Sequence, residues 1–121
     1  ESGWLGRKAK RGYYDYRDAI AAPTPTEDEV LGRTIRDRVV AMLINEAVDA
    51  VQLRVASPED IELAMTKGVN YPRGLLSWGD ALGPAAVLAT LESLQQEYGE
   101  DRYRPSPLLR RVAKGGGKLL P

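Results

Sequence analysis

The chain has 121 residues, in which 17 lysines and arginines balance 17 aspartates and glutamates, and it contains neither histidine nor cysteine. That length holds one hydrophobic core, not a nucleotide-binding domain and a substrate domain together. The cancelled charge gives no global field to gather polyanions or acidic membranes, and the missing residue types exclude an imidazole base, a thiolate nucleophile, a disulfide framework and a His- or Cys-based metal site.

Residues 1–25 read as a basic and aromatic segment followed by a linker. Arg7, Lys8, Lys10 and Arg11 lie around Gly6 and Gly12, Tyr13-Tyr14-Asp15-Tyr16 follows, and the prolines of Ala22-Pro23-Thr24-Pro25 favour extended backbone. Residues 26–121 read as a helical domain. Thr26 is the expected N-cap, with Glu27, Asp28 and Glu29 at the positive end of the helix dipole. From about Val30 to Val55 apolar residues recur at Ile35, Val39, Met42, Leu43, Ala47, Val48, Val51 and Val55, close to a 3.6-residue period. Val40, Ile44 and Ala50 widen that stripe, so the helix is expected to be central and covered on most sides, with Gly32 a candidate break.

Ser57-Pro58-Glu59-Asp60 is a start signal, combining a hydroxyl cap, a proline at the first helical position and acids in the first turn. Lys67-Gly68 is the matching stop. Leu75, Leu76, Trp78 and Leu82 belong to a short third helix ending at Gly83, and Pro84 opens a fourth that runs to Tyr98-Gly99. Ser106-Pro107 starts a fifth through Leu108, Leu109 and Val112, before Gly115-Gly116-Gly117. No segment alternates as a strand would, so the expected fold is an all-α compact bundle of about five helices.

Few residues offer chemistry. Asn45 and Glu46 interrupt the apolar face of the long helix and are expected to hold the Asn70-Tyr71 loop, since buried polar groups usually serve neighbouring backbone. Asn70, Tyr71, Pro72 and Arg73 are candidates to line a substrate cleft, although a connection packed on the core is the commoner use of such a loop, as it is for Trp78 among its leucines. The four N-terminal cations supply a modest, salt-sensitive attraction, and a solvated segment is the commoner explanation. Gly115-Gly116-Gly117-Lys118 lacks the spacing of a phosphate loop, and no Gly-x-Gly-x-x-Gly occurs. No metal site and no nucleic-acid or membrane partner is expected. No apolar run reaches bilayer length, Glu1-Ser2-Gly3-Trp4 has no leader character, and the absence of cysteine fits a cytoplasmic protein.

Three stretches together carry a family resemblance: GRKAKRGYYDY at 6–16, NEAVDAVQLRVASPEDIELAMTKGVNYPRG at 45–74 and DRYRPSPLLRRVAKGG at 101–116. The chain resembles the C-terminal helical domain of bacterial NAD-dependent 3-hydroxyacyl-CoA dehydrogenases of the 3-hydroxybutyryl-CoA and 3-hydroxyadipyl-CoA type, the latter from aromatic-acid (phenylacetate) catabolism. The resemblance implies a bundle like the C-terminal domain of 6-phosphogluconate dehydrogenase. It also implies a parent enzyme that transfers hydride from the 3-hydroxyl carbon of an acyl-CoA to NAD. The glycine- and lysine-rich piece ending in Tyr-Asp-Tyr normally follows a first C-terminal domain. Its place at the N-terminus here implies the join plus a second copy, with the Rossmann domain and NAD upstream and no cofactor in this chain.

The family's catalytic copy carries Asn in a Val-Asn-Arg step, and the matching stretch here is Arg36-Asp37-Arg38, so no catalytic residue is assigned. Arg73-Gly74-Leu75 stands where Met-Gly-Pro is usual, and Ala9-Lys10 where Thr or Ser precedes Gly. The resemblance further implies a symmetric homodimer, with Ile35, Val39, Met42 and Leu43 as candidates for its face. The alternative function is a free-standing helical interaction module, with nucleic acid bound through the basic segment.

Overall fold

The computed structural model describes residues 3–17 and 24–121. Most of the expected linker, including Ala22 and Pro23, lies outside the described residues. Helix α1 (Glu29–Gln52) begins at Asp28, whose carboxylate accepts the Leu31 N–H at 2.9 Å. The expected cap, Thr26, stands one step back and accepts the Asp28 N–H instead. A carboxylate serves this position better than a hydroxyl because it also meets the positive end of the helix dipole. Gly32 does not break the helix; its N–H closes the first turn onto the Asp28 carbonyl.

Ser57 caps α2 (Pro58–Leu63) by accepting the Asp60 N–H, and the chain then widens into a π-helical turn at Ala64–Gly68. The expected glycine stop at Gly68 is therefore not used as such. The chain reverses through Asn70, whose φ of 57° is a left-handed conformation that asparagine tolerates. Helix α3 (Leu75–Leu82) is joined at Gly83 to α4 (Pro84–Tyr98), which ends at a left-handed Gly99. A 3₁₀ turn at Asp101–Tyr103 leads to α5 (Pro107–Gly115), capped by Ser106. The described residues thus form five α-helices and no strand ladder, the all-α bundle expected. The N-terminal segment doubles back on itself through single antiparallel bridges, Gly6 to Arg11 and Arg11 to Asp15, around a 3₁₀ turn at Arg7–Ala9.

α1 packs against α3, α4 and α5, and the core gathers on its second half. Val40, Ala41, Ile44, Ala47 and Val48 are buried with Leu75 and Leu76 of α3, Val87 and Leu91 of α4, Leu109 of α5 and Leu119 of the tail. The first half differs from the expectation of a helix covered on most sides. Val30, Leu31, Ile35 and Val39 are all exposed, the last two at 54% and 49%. Met42 and Leu43 sit between the two regimes, half-buried against the core.

Gly79 sets the closest approach in the core. A Cβ there would fall 2.6 Å from Leu119 Cδ1 and 2.9 Å from Ile44 Cγ2, so α3 lies on α1 and the tail only because the side chain is absent. Gly79→Ala should cost about 1–3 kcal/mol through overpacking. Chemical denaturation would show a lowered midpoint with an unchanged slope; an unchanged midpoint would show that the contact relaxes freely.

Candidate functional site

Three polar side chains tie distant stretches of backbone to the bundle. Asn45, 2% exposed on α1, donates from Nδ2 to the Arg104 carbonyl at 3.1 Å and accepts the Ser106 N–H on Oδ1 at 2.8 Å. It therefore holds the entry to α5, not the Asn70-Tyr71 loop expected from the sequence, and Glu46 beside it is exposed. Geometry explains the correction: Asn45 lies beyond the Ile44 layer on the face turned to the 101–106 connection, whereas the 70–74 loop joins α2 to α3.

The 70–74 loop is secured by other groups. The Tyr71 N–H donates to the Met65 carbonyl at 3.0 Å, and the Arg73 guanidinium lies 5.7 Å from the centre of the Trp78 ring. Tyr71 and Trp78 pack half-buried on the core, while Asn70, Pro72 and Arg73 are exposed. The start of α3, which follows this loop, is held by Glu62. Its carboxylate accepts the Leu76 N–H at 2.7 Å and the Ser77 N–H at 3.3 Å. Gly74 makes room for it, since a Cβ there would lie 2.0 Å from a Glu62 oxygen. Glu62 was not singled out in the sequence. The available signal was a helix start whose N-cap, Gly74, has no side chain, so that the cap has to come from elsewhere.

Asp80 is the third tie, with Oδ1 and Oδ2 accepting the Leu119 and Leu120 N–H groups at 2.7 and 3.1 Å. Glu62 and Asp80 each accept two backbone N–H groups, whereas Asn45 accepts one and donates to a carbonyl, and in each case a side chain satisfies backbone where the chain reverses. Among the described residues no buried side-chain nitrogen or oxygen lacks a partner.

Asp37 borders open grooves between the exposed half of α1 and the helices α3 and α4. The largest, ≈ 620 Å³, is lined by Thr34, Arg38, Ser93, Glu97 and Tyr98 among others. The Asp37 carboxylate accepts from Nε and Nη2 of Arg36 at 2.9 and 2.7 Å. An ionised carboxylate so engaged offers acceptors only, where an amide would offer a donor as well. Arg38 donates to the hydroxyl of the fully buried Tyr103 and lies 4.6 Å from the Tyr98 ring centre. Two charged groups of the groove, Asp37 and Arg38, are thus engaged within the protein.

Two of the N-terminal cations, Arg7 over the Tyr16 ring and Arg11, are also engaged. The Arg11 guanidinium stands 3.9 Å from the centre of the Trp4 ring and 3.9 Å from the Asp15 carboxylate. Hydrogen bonds from Arg17 hold the Asp15 carboxyl well below the usual carboxylate range, and the same pairing raises Arg17. Among the described residues no group of three or more carboxylates gathers as a metal site would require, and no helix is long and apolar enough to cross a membrane.

What the fold and these contacts define is an all-helical domain whose polar groups serve its own backbone. Residues 35–118 match the model of the 3-hydroxyacyl-CoA dehydrogenase C-terminal domain, and the chain belongs to that family. It is 59% identical over 76 residues to a 3-hydroxyadipyl-CoA dehydrogenase of Escherichia coli (strain K12), an alignment covering 63% of this chain and 16% of that protein. It is 36% identical over 116 residues to a Deinococcus radiodurans protein named "Probable 3-hydroxybutyryl-CoA dehydrogenase", covering 88% of this chain and 41% of the other. The crystal structure of an (S)-3-hydroxybutyryl-CoA dehydrogenase from Ralstonia eutropha superposes with a TM-score of 0.64 at 36% identity, over 66% of this chain and 28% of that one. The chain therefore spans well under half the length of these relatives.

The Glu62 tie has a measurable consequence. Glu62→Ala leaves the first N–H groups of α3 without their acceptor and should cost about 0.5–2 kcal/mol, the range for loss of a helix cap. Hydrogen exchange at Leu76 and Ser77 should rise accordingly; unchanged exchange there would mean that water replaces the carboxylate without loss.

Proposed function

We propose that the chain is the helical part of an NAD-dependent 3-hydroxyacyl-CoA dehydrogenase, corresponding to a second C-terminal copy with the join that precedes it. Its work is to complete the core and cleft of a larger catalyst and to pair its subunits. The observation that carries this reading is the family match over residues 35–118, combined with Asp37 and Arg38 at the groove being engaged by Arg36 and Tyr103. The parent oxidises a 3-hydroxyacyl-CoA to the 3-oxoacyl-CoA, a reading supported by the names of the relatives, and a cytoplasmic setting fits a chain without cysteine.

The residues of this chain do not fit the dinucleotide. There is no Gly-x-Gly-x-x-Gly in the sequence and no strand-to-helix turn among the described residues to cradle a pyrophosphate. NAD is thus assigned to polypeptide outside this chain, as are the upstream domains. Asn70 and Arg73 remain candidates to border the cleft, because they are exposed on a loop fixed at both ends. Asp37 stands where the family's catalytic copy has Asn, which supports an architectural role for this copy.

Pairing follows from the outer face of α1. Ile35 and Val39 are exposed there, with Met42 and Leu43 half-buried beside them at the edge of the core, and a twofold copy would bury that apolar surface against itself.

Two measurements test the proposal. NADH formation from 3-hydroxybutyryl-CoA should be absent for this chain and present for the full-length gene product; turnover by the isolated chain would refute the assignment. Light scattering should give a dimer at tens of micromolar and a monomer for Ile35→Asp combined with Val39→Asp. A wild-type monomer at that concentration would remove the pairing role.

A further inference from the structure

The C-terminal residues carry a device that the family match does not describe. Helix α5 ends at Gly116 in a left-handed conformation, φ 64°, and the Gly117 N–H closes onto the Val112 carbonyl at 3.2 Å. Residues 114–118 are exposed, and then the chain turns back into the bundle, where Leu119 is 6% exposed. Two kinds of attachment hold it there. Leu119 packs flush on Gly79, and Asp80 takes the Leu119 and Leu120 N–H groups on its two oxygens. A mainly apolar cleft has Val48, Val51, Leu76, Leu108 and Val112 of the bundle in its lining together with Lys118, Leu119 and Pro121 of the tail, which thus forms one of its walls.

We propose that residues 118–121 form a strap, hinged at the glycines 115–117 and latched by Asp80, that opens as a unit from an otherwise intact bundle and uncovers this cleft. A run of three glycines imposes little resistance to hinge rotation. A segment anchored by the buried Leu119, the half-buried Leu120 and one carboxylate has fewer attachments than the helices it rests on, and such elements open at lower free energy than the core. The latch depends on charge as well as shape. A carboxylate presents an acceptor to each of the two amides, whereas the amide of Asn presents one acceptor and one donor, so one backbone N–H would face another N–H.

Hydrogen exchange of the full chain followed by NMR tests the strap. The amides of Leu119 and Leu120 should exchange through an opening that leaves Ile44 and Val48 protected. Asp80→Asn should speed exchange at Leu119 and Leu120 by at least about tenfold, the scale of a lost hydrogen bond to a charged group, with the core amides unchanged. A chain ending at Gly117 should keep its helical circular dichroism and bind 8-anilinonaphthalene-1-sulfonate in the uncovered cleft. If that shortened chain does not fold, the Asp80→Asn comparison decides. Exchange of Leu119 and Leu120 at the same rate as Ile44 and Val48, or equal acceleration of all four by Asp80→Asn, would show that the tail is part of the global unit and would overturn the proposal.

Discussion

Helix α1 carries apolar side chains in both halves, but the bundle buries only those of the second. From Val40 to Val48 its inner side chains share one core with residues of α3, α4, α5 and the tail. From Val30 to Val39 four apolar side chains, Val30, Leu31, Ile35 and Val39, stay exposed among polar and charged neighbours. Full burial of a Val, Leu or Ile side chain contributes about 1.5–3 kcal/mol, so covering four that are now roughly half-exposed is worth several kcal/mol to whatever surface does so. The polar cover available within the chain is already used, because Arg36 binds Asp37 and Arg38 binds Tyr103.

Around this spine the connections are fixed by individual polar groups, not by continuous apolar contact. Asn45, Glu62 and Asp80 sit on α1, α2 and α3, and each engages two backbone groups in a later part of the chain. Each satisfies amides that a tight reversal would otherwise leave without partners. The two small-residue positions, Gly74 and Gly79, are where these ties and the core demand the closest approach. A domain held in this way keeps its loops in place while leaving its outer helix face unchanged, which suits a part meant to be joined to others.

The sequence was most legible where structure is local. Ser57-Pro58, Gly83-Pro84, Tyr98-Gly99 and Ser106-Pro107 each mark a boundary because cap, proline ring and left-handed glycine act within a few residues of themselves. Long-range partners were not legible. Asn45 could be recognised as a buried polar group with a structural task, but its spacing in the sequence carries no information about whether residues 70–71 or 104–106 lie opposite. The breadth of the α1 stripe was visible too, yet periodicity counts apolar residues without saying which surface covers them. Asp28 displaced Thr26 as cap because both residue types suit the position and only the first helical φ/ψ pair decides between them.

The family match and the unshielded half of α1 both support the proposal that this bundle serves as architecture within a longer polypeptide. Hydroxyl-radical footprinting read by mass spectrometry compares its surface alone and within the full-length gene product. The account predicts that Leu31, Ile35 and Val39 are oxidised less in the full-length protein than in the isolated chain, while exposed Leu53 serves as an internal reference. Equal oxidation of all four residues in both contexts would contradict it.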